Sequence, residues 1–192
     1  MQKKIKQLVF RLKTADRKHL AIGAGIVLTA AAVLFILFNA INKPAVEAAG
    51  QVSLLTENVR KFYQNRPDGW GISSESAVKN KIVPKAMMKD GKIVNALGKE
   101  VLLGADENGN MVMPGMRSFA VVYKGLSYRE CVIAAEKSLT ENMPLVLNDL
   151  VVRHKDKSTE FIWGGENALP VSASAAKKAC GKQNMLIWSV NL

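Results

Sequence analysis

Apolar residues gather in one unbroken run near the start of the chain and then disperse into periodic patterns. From Leu20 to Phe38 no charged residue occurs. Nineteen residues at the helical rise cover roughly 28 Å, close to the hydrocarbon thickness of a bilayer. A soluble helix is rarely apolar on every side over such a length, so this run predicts a membrane-spanning helix. From Ala45 to Tyr63 the period changes. Ala48, Val52, Leu55, Val59 and Phe62 recur at spacings of four and three and predict an amphipathic helix with one apolar stripe. Pro44 marks the junction of the two segments, as a first-turn residue or a bend in one long rod. The amphipathic helix is expected to end before the turn signal Arg66-Pro67-Asp68-Gly69.

Beyond the turn the pattern is mixed. Ser73 or Ser74 is placed to cap a short helix reaching about Asn80. Ile82-Val83-Pro84 and Lys89-Asp90-Gly91 interrupt regularity. Glu100 to Leu103, a turn at Ala105–Asn110 and Met111 to Met113 predict a hairpin. Ser118 to Tyr123 is the clearest strand. Ser127 and Glu130 have capping-box spacing for a helix reaching Leu139. Residues 147–153 and 158–163 predict two strands, Ser172 to Ala179 a helix closed by Cys180-Gly181, and Met185 to Val190 a last strand. A helix followed by strands with helices between them suggests an α+β fold, its mainly antiparallel sheet packed on the first long helix.

Charge changes this picture in one respect. The 192 residues carry a formal net charge of +11. Residues 1–18 hold seven basic side chains against Asp16 alone. Placed beside an apolar span, that block reads as a topology signal, with the N-terminus cytoplasmic and everything after Lys43 across the membrane. Residues 1–19, 20–43 and 44–192 are accordingly expected to be a basic cytoplasmic segment, a transmembrane helix and an exported domain. A cleaved export signal would need a shorter apolar region and a small-x-small site, which Val46-Glu47-Ala48 does not supply. Ala21, Gly25 and Thr29 recur four apart. That spacing lets helices approach closely in lipid, or reflects plain tolerance of small residues. Basic residues of the exported part are interspersed with acids along the sequence, so nucleic acid is not an expected partner.

The two cysteines, Cys131 and Cys180, are either buried thiols or one disulfide. An exported domain favours the bond. Catalytic chemistry is not expected. His19 borders the apolar run and His154 stands alone between Arg153 and Lys155. No metal-ligand spacing or phosphate-binding glycine loop occurs, so no cofactor is expected. Asp106, Asn108 and Asn110 alternate like the start of a calcium loop, but Arg117 occupies the twelfth position and the segment reads as a turn. Trp70, Trp163 and Trp188 read as packing residues.

Several segments together resemble a family. Gly71-Ile-Ser-Ser-Glu-Ser with Ile82-Val-Pro84 resembles the loop that joins helix to sheet in type IVb pilins, above all those of conjugative thin pili and bundle-forming pili. Asn95-Ala96 with Gly98 and Val101 is similar to that family's entry into its first strand. Phe119-Ala-Val-Val-Tyr-Lys-Gly125 before Cys131 resembles its central strand and first cysteine. Ala176-Lys-Lys-Ala-Cys180 before Met185-Leu-Ile-Trp-Ser-Val190 resembles its second cysteine and closing strand. The resemblance covers about residues 45–192.

The resemblance implies a type IV pilin-like α+β fold with one disulfide, a non-enzymatic structural role, and assembly through the N-terminal helix. The helix positions expected to pack between subunits are Ala21, Gly25, Thr29, Val52, Leu55, Val59 and Phe62. Gly23 or Gly25 stands for the glycine that precedes the processing point of prepilins. Neither is followed by the acid that the family places early in its helix, because the span is uncharged through Phe38. The expected function is a major, minor or pseudo-pilin subunit of a type IVb-related pilus or of a secretion or conjugation apparatus. Its partners would be other pilin-like subunits, identical or different, and inner-membrane lipid. A bacterial inner-membrane location with the head periplasmic or displayed on a pilus follows from that reading, and any surface receptor is left unnamed. The alternative expectation is a membrane-tethered accessory or binding protein that does not polymerise.

Overall fold

The computed structural model describes residues 40–65, 71–104, 118–138, 146–155 and 157–192. The apolar run from Leu20 to Phe38, with Ala21, Gly23, Gly25 and Thr29, lies outside them, as do His19, Trp70 and the segment Ala105–Arg117. Among the described residues no helix is long and apolar enough to cross a membrane.

Residues 40–63 form helix α1. The predicted stripe is present. Ala48, Val52, Leu55 and Val59 have no solvent exposure. Its last member differs, because Tyr63 (2% exposed) continues the buried row while Phe62 is 40% exposed. Four residues beyond Val59 is a full helical turn, whereas Phe62 falls on the rim of the buried face.

Side chains from α1 fasten the segment that follows it. The Tyr63 hydroxyl donates to Gly71 O (3.1 Å) and lies 2.9 Å from Ser76 Oγ. Asn58 Nδ2 donates to Ile82 O (2.9 Å), and Gln51 Oε1 accepts from Ala96 N (2.7 Å). The short helix α2, Ser74–Lys79, starts at Ser73, whose hydroxyl accepts from Ser76 N, and ends at Asn80. Strands β1 (Met88–Lys89) and β2 (Lys92–Ile93) pair antiparallel around Asp90 and Gly91. Both turn residues have positive φ, 50° and 76°, as a tight two-residue hairpin demands. The sequence reading takes Lys89-Asp90-Gly91 only as a break. Asp-Gly was the signal for the turn.

The main sheet contains β3 (Val101–Leu103), β4 (Ser118–Leu126), β5 (Leu147–His154), β6 (Lys157–Ile162) and β7 (Asn184–Asn191). Its order is β3-β4-β7-β5-β6 and every pairing is antiparallel. The strand latest in sequence therefore occupies the centre. The expected partner of β3 at Met111–Met113 lies outside the described residues. Within them, β3 pairs with β4, Val101 opposite Tyr123 and Leu103 opposite Val121. β4 runs three residues past the expected end, with a register shift between Tyr123 and Leu126 that accommodates Gly125 at φ 68°.

Helix α3 spans Tyr128–Lys137, and both halves of the predicted capping box form. Helix α4 spans Ala173–Ala179, with Ser172 as its cap. One face of the sheet packs on α1 through Tyr123, whose buried hydroxyl donates to Ala48 O at 2.9 Å. Burial pushes that hydroxyl's pKa far above the phenolic range. The Tyr123 ring meets Trp188 edge-on at 5.0 Å. Trp188, with no solvent exposure, donates to Ser138 Oγ at the end of α3 (3.0 Å). Helix, central strands and α3 thus share one core.

Candidate assembly surfaces

Three surfaces of Pro44–Leu192, a compact unit, bear on what the fold can do. The first is the outward side of α1. Val46 (48% exposed) and Leu54 (46% exposed) are eight residues apart, with Gly50 exposed between them. A Cβ at Gly50 would meet nothing within 4 Å. These three form an apolar strip flanked by the Glu57–Lys61 ion pair. The sequence reading, which counted one apolar stripe, missed this strip, although its four-residue spacing on the far side of the helix was the signal for it.

This corrects an expectation. Val52, Leu55 and Val59 are not available for packing between subunits, because each has no exposure within its own chain. Their methyl groups fill the space between α1 and the sheet. Of the assembly positions predicted within the described residues, Phe62 alone is exposed, beside a shallow groove shared with Asn58, Lys61 and Asn80–Ile82. Ala21, Gly25 and Thr29, and the processing candidates Gly23 and Gly25, lie outside the described residues.

The second surface is the region bounded by the disulfide. Cys131 in the first turn of α3 is bonded to Cys180 at the end of α4, with Cα atoms 6.0 Å apart and a sequence separation of 49. Burial of both, 0% and 7% exposed, keeps the bond inside the core. The enclosed segment includes β5, β6 and a loop at 163–172 in which the Trp163 indole donates a 2.7 Å bond from Nε1 to Leu147 O while the residue stays 42% exposed. His154 is not the isolated surface residue that the sequence suggested. Its Nδ1 lies 3.2 Å from Gln183 O, and its ring fills the space where a Cβ at Gly181 would stand.

The third surface is the sheet seen along its strands. Lys155 and Lys157, which flank Asp156 in the sequence, stand at the β5–β6 turn, and Lys177 and Lys178 in the last turn of α4 and Lys182 after it are exposed as well. Asp149 lies opposite Ile162 near the other end of β5, and Glu160 stands opposite Val151, on the same face of the sheet as Arg153. Asp149 is half-buried and accepts from Ser189 Oγ at 2.7 Å. Desolvation, aided by the nearby Glu160, raises its pKa from 3.8 against that hydrogen bond. Among the described residues no three His, Cys, Asp or Glu side chains are grouped to hold a metal.

A family profile described as bundlin matches residues 39–185. No curated protein matches the chain. Among solved structures, the chain is similar to the type IVb pilin from Salmonella typhi, with 12% identity over 77% of this chain and 97% of that one and a TM-score of 0.50. It is also similar to TcpA, a type IV pilin from Vibrio cholerae El Tor biotype, with 11% identity over 78% and 99% and a TM-score of 0.48. The first likeness concerns the fold, a helix packed on an antiparallel sheet. The profile match runs from the first described turn of α1 into β7, and on that extent the chain belongs to the bundlin family of type IVb pilins.

Proposed function

We propose that the protein is a structural subunit of a type IVb-related pilus, or of a secretion or conjugation apparatus built on the same plan, and that it assembles through its N-terminal helix. The observation that carries this reading is the two-sidedness of α1. One side is consumed by the chain's own sheet, and the other presents Val46, Gly50 and Leu54 to the outside. A monomer gains nothing from that outer strip, whereas a bundle of helices buries it.

In this reading residues 1–19 stay in the cytoplasm, residues 20–43 anchor the chain in the inner membrane until assembly, and residues 44–192 fold in an oxidising compartment where the disulfide forms. The partners are further pilin-like subunits, identical or different.

The test compares two aspartates in the full chain. Leu54→Asp is expected to leave melting of the head unchanged and to lower the yield of sheared filaments. Val52→Asp is expected to unfold the head outright. Wild-type filament yield from both Val46→Asp and Leu54→Asp would overturn assembly through this face.

A second reading is favoured by one feature of the sequence, the lack of an acid after Gly23 or Gly25. It makes the protein a membrane-tethered accessory or binding protein with a pilin-like head. The intact mass of protein from its native membrane separates the two. A chain starting after Gly23 or Gly25 supports assembly, and one starting at Met1 supports the tethered form.

A further inference from the structure

Among the described residues, the buried side-chain atoms without a hydrogen-bond partner include two on one flank of α1, Thr56 Oγ1 and Arg60 Nε. Residues four apart on a helix lie one above the other, so this hydroxyl and this guanidinium are neighbours. Thr56 is 2% exposed and Arg60 is partly buried. A helical threonine can return its hydroxyl to the carbonyl three or four residues earlier. Thr56 makes no such bond, which leaves its hydroxyl to be shared with a neighbour. The charge of Arg60 is uncompensated as well. The acid nearest to it along α1, Glu57, is paired with Lys61, and no salt bridge among the described residues engages Arg60. The turn before is differently placed. There the Ser53 hydroxyl donates to Ser138 O at the end of α3. Thr56 and Arg60 follow it on the same flank without such an acceptor. Buried polar atoms in folded proteins are paired in the great majority of cases, so two orphans side by side call for a shared acceptor.

We infer that Thr56 and Arg60 form a binding site for a small oxyanion, a phosphate or a carboxylate. The guanidinium carries donors only, and the hydroxyl can donate alongside it. A guanidinium presents its N–H groups in a planar fork that matches two oxygens of such a group. The hydroxyl one turn earlier donates to an oxygen of the same group. An oxyanion supplies both the acceptor atoms that the two donors lack and the countercharge that Arg60 lacks. A metal cation would supply neither, and an apolar ligand would deepen the burial of both without pairing them. The inference does not depend on the subunit reading, since it concerns the flank of α1 beside α3 and not the outer strip of Val46, Gly50 and Leu54.

Inorganic phosphate is the probe. Melting of the full chain in detergent is followed as phosphate replaces chloride at constant ionic strength. Phosphate also strengthens folded proteins by exclusion from their surface, so the readout is the difference between wild type and variant. Wild type is expected to melt about 3 °C higher once phosphate exceeds its dissociation constant about tenfold. Arg60→Met is expected to lose that increment, and Arg60→Lys, which keeps the charge without the fork, to retain only part of it. Thr56→Val is expected to melt no lower than wild type in chloride, because the hydroxyl it removes has no partner to lose, and to respond less to phosphate. Acetate in a parallel titration separates the two chemistries. An equal increment supports a carboxylate site, and an increment with phosphate alone supports a phosphate site. Equal phosphate shifts in wild type, Arg60→Met and Arg60→Lys overturn the inference. A Thr56→Val chain that melts lower already in chloride overturns it too, since the hydroxyl then has a partner within the chain.

Discussion

Asp149 combines half burial, a hydroxyl donor and a carboxylate neighbour on one strand. Burial and Glu160 raise its pKa from 3.8 and outweigh the Ser189 bond. In the pH range just above 3.8 the folded chain therefore retains a proton that the unfolded chain has released. Stability from this group is present at the acidic side and is lost as pH rises through the folded value. Melting temperature measured upward from pH 3.8 should show that loss, and Asp149→Asn should flatten it while keeping a partner for Ser189. Gly104 tests backbone packing. It has φ 75°, and a Cβ there would run into the Ile72 carbonyl. Gly104→Ala should lower stability by at least about 2 kcal/mol in a denaturant titration, since left-handed strain and a backbone clash add. At this scale the sequence was informative where the cause was local. Ser127 caps the helix expected of it and Ser73, one of the two candidates, caps α2, because a cap needs only a neighbour three residues on; Ser172, read as the first residue of its helix, is the cap of α4. The role of Tyr123 was not legible, since its partner Ala48 is 75 residues away.

Among elements, α1 and the α3–α4 pair carry opposite lessons. The α1 stripe was read correctly for burial but assigned to the wrong neighbour. Periodicity says that a face is covered without saying whether the cover is the same chain or another. The β1–β2 hairpin went unread although Asp90-Gly91 signals it, because two-residue strands present no alternation to count. The α3–α4 link answers to a single experiment. Closing a loop with a separation of 49 residues restricts the unfolded chain by about 4 kcal/mol. Cys131→Ser and Cys180→Ser should each lower the melting temperature of the head, and the double variant should cost no more than either single one. Unchanged melting of both would remove the bond from the account of stability.

For the molecule as a whole, strand order is the feature that sequence could not supply. Each strand of the sheet was foreseen in place or nearly so, yet which strands are neighbours depends on pairings between residues far apart in sequence, such as Val121 with Trp188.

The central place of β7 has a consequence in time. β3 and β4 on one side and β5 and β6 on the other are joined through β7 alone, and β7 follows them all in the chain. While the polypeptide is being made or threaded through a membrane pore, the two earlier strand pairs have no shared seam. The head cannot close into its final shape until residues 184–191 have arrived. An export channel that accepts only unfolded chains would thus be presented with a suitable one throughout translation. Proteases on the far side would find the half-emerged head open until the last strand slots between its neighbours.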